Sequence, residues 1–450
     1  MLSAVASEVP TSFATLRDRE FSRLDEQKHA YLDYAGSALY GESQLQAHHE
    51  LLRQGLFGNP HSDSGPSRAS TDVIESARRA VLQFLDADEA TYDVCFTANT
   101  TAAIKLVAES YPFSPHSSCL LSVDNHNSVN GIREYARRAG ARVRYMPLDD
   151  ELRLQEADAV IEREARRGGG LLAFPAQSNF SGVRHPLALV VKAKARGFDV
   201  LLDIAAFVPS HAFSLRECPA DFVALSFYKL FGFPTGVGAL VARRDALARL
   251  GRPWFAGGTV LYASIGAAIH RLRPGHEGFE DGTPDFLGIA ALDAGFALLE
   301  EVGMVRVSGH IAQLSRLLIE QLHALRHTNG APLARIYGPT NMIGRGGTIA
   351  FNVCDREGRP VPYALVERRA RQAGVSLRGG CFCNPGASES AFGVDPARLS
   401  ACLDRLGETF TPERLAACSG AAVGAVRASI GMANNSDDIR RAVEVVASFG

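Results

Sequence analysis

A chain of 450 residues is longer than one ordinary core organises, and it predicts two domains. Apolar content of 46% beside 21% charged residues is that of a soluble globular protein, and a formal charge of −2 excludes the strong field that gathers nucleic acid or an anionic membrane. No stretch is apolar for long enough to span a bilayer, and residues 1–27 lack the basic start and apolar middle of a signal peptide; a cytoplasmic protein is expected.

Residues 31–38 read as a short extended piece entering a turn, and Gly58-Asn59-Pro60 as a loop. A helix is predicted from Ser70, with Asp72 in its first turn and Val73, Ala77, Val81 and Leu85 on one face. Short apolar runs then alternate with helical ones. Strand 93–96 precedes a helix over 102–109, and strand 119–123 precedes a helix near 129–139. Strands at 142–146, 171–174, 200–202 and 222–225 follow, and 237–241 closes the series. This rhythm predicts a mostly parallel sheet covered on both faces, within a large α/β domain over residues 31–296. Beyond it, a helical stretch over 285–301 breaks at Gly303, and Ile311, Leu314, Leu318, Leu322 and Leu325 form a stripe that reads as core. Strands at 348–353, 375–378 and 426–430, a helix near 363–373 and a terminal helix capped at Ser436 predict a smaller α+β domain. That domain takes residues 297–450 together with 1–30.

Most of the eight cysteines stand singly in apolar runs, where a thiol behaves as a small hydrophobe, so no disulfide framework is expected. Cys381-Phe382-Cys383 is the one cluster; it is too little for a metal site, and none is expected.

In such sheets ligands bind outside the carboxyl ends of the strands. Thr100, His126, Asn179, Asp203 and Lys229 each stand just beyond a different apolar run, so the topology gathers all five on one rim. Each alone has an ordinary reading as a cap, a loop residue or a solvated strand end. Lys229, in Ser226-Phe227-Tyr228-Lys229-Leu230-Phe231, either snorkels to water along its stem or has its pKa lowered by burial, as a Schiff-base amine needs. The turn from Thr97 to Thr101 offers free amides and the positive end of a helix dipole, with the hydroxyls of Thr100, Thr101 and Ser226 as further donors. It lacks a P-loop lysine and dinucleotide glycine spacing, so a single phosphate monoester fits best. With Asp203 facing a pyridinium, His126 stacked on a flat ring and Asn179 on a ring oxygen, the set describes a pyridoxal phosphate site.

The motifs YLDYAGSALY (31–40), GNPHS (58–62), FTANTTAAIKLVAE (96–109), FPAQSNFSG (174–182), SFYKLFGFPTGVGAL (226–240), FEDGTPDFL (279–287), GGCFCNPGA (379–387) and VRASIG (426–431) span nearly the whole chain. Through them it resembles the class V aminotransferase-fold enzymes of the cysteine desulfurase and selenocysteine lyase group, and most of all the N-terminal desulfurase domain of molybdenum cofactor sulfurases. The resemblance implies a fold type I pyridoxal phosphate enzyme in which Lys229 holds the cofactor and shuttles the substrate's α-proton. Asp203 would face the pyridine nitrogen, His126 the ring and Asn179 the ring hydroxyl, with Thr100, Thr101, Ser226 and Tyr228 on the phosphate. Thr283 would reach the phosphate of the neighbouring subunit in a homodimer, and Arg427 would clamp the substrate carboxylate.

Cys383 aligns with the family's nucleophile, which takes sulfur from L-cysteine or a related amino acid as a persulfide and leaves alanine. Cys381 stays open as nucleophile or relay. A flexible loop with Gly379, Gly380, Pro385 and Gly386 would let the persulfide swing to a protein or small-molecule acceptor. Three positions depart from the pattern. Ala206 stands where many desulfurases have glutamine, Tyr228 where many have histidine, and Ser388 where the cofactor-sulfurase branch often has a third cysteine. The length leaves no room for that branch's C-terminal domain, so delivery to a molybdenum cofactor is not expected and the acceptor is open. The alternative is a carbon–sulfur β-lyase giving pyruvate and ammonia, which keeps Lys229 and Arg427 but needs no cysteine. Transamination is third, and a non-catalytic scaffold would need none of Lys229, Asp203 and Arg427.

Overall fold

The computed structural model describes residues 12–420 and 422–450, so expectations drawn for residues 1–11 lie outside it. The central sheet has seven strands, in the order Tyr92–Thr97, Gly238–Arg243, Phe222–Ser226, Phe198–Asp203, Gly170–Pro175, Ser118–Ser122, Arg142–Met146. All run parallel except Gly238–Arg243, which pairs antiparallel with both neighbours. That strand therefore sits inside the sheet, where its place at the end of the series in sequence gave no hint of direction.

Side chains alternate between two apolar layers, as a doubly covered sheet requires. Val94, Leu172, Leu202, Val223 and Val241 enter one core; Cys95, Leu171, Leu201, Ala224 and Leu240 enter the other. These runs are short, β-branched or aliphatic, and buried on both faces, which is why they read in the sequence as continuous apolar blocks.

A second sheet of four antiparallel strands follows, in the order Ala334–Tyr337, Thr348–Val353, Ala425–Ser429, Arg378–Gly380. Ala30–Tyr31 pairs parallel with Val375–Ser376 beside it. Helix Met304–Ala324 packs the predicted stripe inward, with Ile311, Leu314, Leu318 and Leu322 buried. Several boundaries differ from expectation. The helix predicted from Ser70 begins at Gly65, because Pro66 in its first turn costs no hydrogen bond. The last helix is capped by Asn435, whose side chain accepts from the Asp438 N–H at 3.0 Å, and not by Ser436.

Cys402 and Cys418 form a disulfide that joins helix Pro396–Leu406 to helix Pro412–Ser419, against the expectation of none. Nothing in their sequence spacing marks the pair, since a helical hairpin brings them together. Among the described residues no helix is long and apolar enough to cross a membrane.

Candidate active site

At the carboxyl ends of the parallel strands lies a cavity of about 320 Å³. Eight of the eleven expected site residues line it: Thr100, Thr101, His126, Asn179, Asp203, Ser226, Tyr228 and Lys229. Lys229 belongs to the short helix Phe227–Phe231, whose Phe227, Leu230 and Phe231 are buried on the core side. Its amine takes part in no hydrogen bond or ion pair among the described residues. Burial pushes its pKa down; the Asp203 carboxylate opposes this and the Arg427 guanidinium adds to it. The side chain therefore ends in the cavity with an amine biased toward its neutral form.

Asp203 closes its strand and is buried, with one carboxylate oxygen accepting from the Ala205 N–H at 3.0 Å, the one hydrogen bond of that carboxylate among the described residues. His126 caps the turn that follows the Ser118–Ser122 strand, and its Nδ1 accepts from the Ser128 N–H at 3.1 Å. An accepting Nδ1 leaves the proton on Nε2. Burial pushes the His126 pKa down, partly countered by Asp203. The ring is thus a neutral, flat wall.

At the other end, helix Thr100–Ser110 begins with Asn99, whose side chain accepts from the Ala102 N–H at 3.0 Å. The Thr100 N–H donates to Ser226 Oγ at 2.7 Å, and the Thr100 and Ser226 hydroxyls lie 2.6 Å apart. Thr101 Oγ1 and Ser128 Oγ are 2.7 Å apart, which extends the hydroxyl cluster to His126. Gly238 is required here, since a Cβ would stand 2.6 Å from Asn99 Cα. One end of the cavity thus offers hydroxyls at a helix N-terminus, and the other a carboxylate at a strand end.

Three expected residues lie off the cavity lining. Thr283 is exposed in a neighbouring cavity of about 360 Å³ and accepts from Asn59 Nδ2 at 3.3 Å. Arg427 is buried in the second sheet and already engaged: Nη1 donates to the Asn179 carbonyl at 3.0 Å and Nη2 to Asp33 Oδ1 at 3.0 Å. Its Nε has no partner, and its guanidinium carbon stacks 4.7 Å from the Phe382 ring centroid. Cys383 is exposed on the turn that this ring precedes, and Cys381 is half-buried. Asn179 links turn to cavity, because its Nδ2 donates to the Phe382 carbonyl at 2.7 Å.

The family model for Aminotransferase class-V matches residues 30–442. The chain belongs to the class V aminotransferase family. It is 36% identical to a molybdenum cofactor sulfurase of Arabidopsis thaliana over 98% of this chain and 58% of that protein, and 37% identical to molybdenum cofactor sulfurase 3 of Aedes aegypti over 95% and 57%. It therefore spans a little over half the length of these relatives. Its fold is that of the apo cysteine desulfurase of Thermococcus onnurineus NA1, with a TM-score of 0.80 at 22% identity over 98% of this chain and 99% of that one. The cysteine desulfurase CsdA of Escherichia coli gives 0.77 at 23% identity, over 98% and 99%.

In this class V chain several cavity and support residues escaped the sequence reading. Gln177, Thr235 and Gly236 line the cavity, and Ser128 could have been found from its place two residues after His126. Asp33 is the larger omission. It accepts from both Arg427 and the Nε and Nη2 of Arg378, so it fixes two guanidiniums from residues 394 and 345 positions away in sequence. Removing one partner of such a buried pair strands the other charge. Asp33→Ala is expected to cost about 3–5 kcal/mol, measured as a lower midpoint in a urea titration, whereas Asp33→Asn, which keeps an acceptor, loses less.

Proposed function

We propose that this chain is a pyridoxal phosphate-dependent cysteine desulfurase, which removes sulfur from L-cysteine as an enzyme persulfide and releases alanine. The observation that carries this reading is an amine without a hydrogen bond or ion pair among the described residues, that of Lys229, sharing one cavity with a strand-end carboxylate and a hydroxyl-lined helix N-terminus. The chemistry of that donor set fits the cofactor. The Thr100–Ser226 hydroxyl pair, Thr101 and Tyr228 would hold its phosphate, Asp203 would pair with its pyridine nitrogen, His126 would cover the ring and Asn179 would serve the ring hydroxyl. When bound, the cofactor supplies an electron sink for the bond-breaking at the substrate's α-carbon.

The chain's own residues do the rest. Lys229 Nζ, its pKa pushed down by burial, accepts the α-proton and returns one. Arg427, held behind Asn179 by the Asn179 carbonyl and Asp33, would take the substrate carboxylate by exchanging one of these contacts for it. Cys383 Sγ, as thiolate, attacks the substrate sulfur; a sulfur–sulfur bond forms as the carbon–sulfur bond breaks, and the carbon is protonated to give alanine. No outside oxidant is needed.

Residues 31–296 serve as the cofactor-binding domain, and 297–450 with 1–30 as the smaller one. A homodimer is supported by the hairpin of Val260–Ser264 and Ile269–Leu272, which exposes Leu261, Tyr262, Ile265 and Ile269. In that dimer Thr283, itself exposed, would reach the phosphate held by the partner subunit. The sulfur acceptor is a protein or small molecule in the cytoplasm. The test is product analysis of the reconstituted protein with L-cysteine and a thiol reductant. Alanine and sulfide in equal amounts are expected; pyruvate with ammonia would replace this reading with a carbon–sulfur β-lyase.

A further inference from the structure

The turn that carries Cys383 is not built as a free loop. Phe382 and Cys383 both hold left-handed backbone, with φ of +56° and +55°, which non-glycine residues adopt only where surroundings over-determine it. The surroundings are visible. The Phe382 carbonyl accepts from Asn179 Nδ2 at 2.7 Å and the Cys383 carbonyl from the Asn127 N–H at 2.7 Å. Asn384 Nδ2 donates to Asp124 Oδ1 at 2.6 Å and to Asn179 Oδ1 at 3.0 Å, while its own Oδ1 caps helix Pro385–Phe392 through the Ala387 N–H at 3.1 Å.

Asp124 anchors this set. Its side chain is fully buried, and it also accepts from Ser178 Oγ at 2.8 Å and lies 2.8 Å from His185 Nε2. A buried carboxylate is stable only when its lone pairs are taken up, so any shift of Asn384 leaves Asp124 short of a donor. Gly386 closes the fit from the other side, since a Cβ there would stand 2.1 Å from the Val123 carbonyl oxygen.

We infer that Asp124 and Asn384 are positioning residues that lock the Cys381–Asn384 turn, so that Cys383 Sγ meets the substrate sulfur at one fixed place. This rests on Cys383 being the nucleophile. It replaces the swinging loop expected from the glycines and proline: the acceptor comes to an exposed, fixed cysteine.

The test uses the cofactor-loaded protein. Asn384→Asp keeps the helix cap but sets a second carboxylate against Asp124. It is expected to lower kcat about 100-fold with KM for cysteine unchanged, and to speed amide hydrogen exchange across residues 381–386 by about ten-fold. The reciprocal double variant Asp124→Asn with Asn384→Asp restores a donor facing an acceptor, and is expected to recover much of kcat and of the slow exchange. If Asn384→Asp does not fold, Asn384→Ser, which also caps a helix but cannot reach Asp124, is read in the same way. Exchange as slow as in the parent, or no recovery in the double variant, overturns the lock. Exchange needs no turnover, so it decides the lock even where Cys383→Ser proves active and the nucleophile assignment falls.

Discussion

Lys229→Ala is expected to give a folded protein with no lasting visible absorption after pyridoxal phosphate is added and gel-filtered, and with alanine formation reduced about 10⁴-fold. The fold should survive because the amine has no hydrogen bond or ion pair to lose among the described residues. Burial already disfavours its charge, so truncation removes a group whose charged form is poorly solvated there. The chemistry should not survive, since one nitrogen both binds the cofactor aldehyde and moves the α-proton. Arginine is no substitute at this position, because its guanidinium stays charged. Borohydride treatment gives the direct check. The parent protein should carry the reduced cofactor on the peptide containing Lys229 and the variant nowhere; a label on any other lysine would sink the assignment.

The second large effect is at Cys383. Cys383→Ser should lose about 10³-fold or more of alanine formation while the cofactor's absorption stays, because a hydroxyl at neutral pH is no replacement for a thiolate. The choice of Cys383 over Cys381 is carried by position. Cys383 is exposed and close enough for its charge to raise the Lys229 pKa, whereas Cys381 is half-buried. Cys381→Ser is therefore expected to keep most activity. Loss in Cys381→Ser with retention in Cys383→Ser would move the nucleophile two residues. Full activity with both replaced, yielding pyruvate, would leave no role for either.

The sheet was legible in the sequence because each buried strand is a compact apolar block with polar residues at its end or within a few positions beyond it. Thr100, His126, Asn179, Asp203 and Lys229 follow this rule, and all five line one cavity. Cys383, Arg427 and Thr283 are of another kind: their surroundings carry no periodic signal, and only the resemblance singled them out. What stayed hidden are contacts between distant segments. Asp33 reads as a turn residue until Arg378 and Arg427 are brought to it. Asn384 reads as a helix cap, which it is, but its second hydrogen-bonding group is spent on a carboxylate 260 positions earlier. The direction of Gly238–Arg243 and the Cys402–Cys418 bridge are hidden for the same reason, since both depend on how the chain returns.

Arg427 and Phe382 belong to the second sheet or its adjoining turn, yet both bond to Asn179 at the margin of the first. The cavity therefore lies at a seam between the two sheets, reached from the second through Asn179. The seam is apolar as well as polar, with Phe180 and Val183 clustered with Ala350, Phe382 and Ala425. Any molecule that binds the folded cavity and not the unfolded chain must then stabilise the whole fold by mass action.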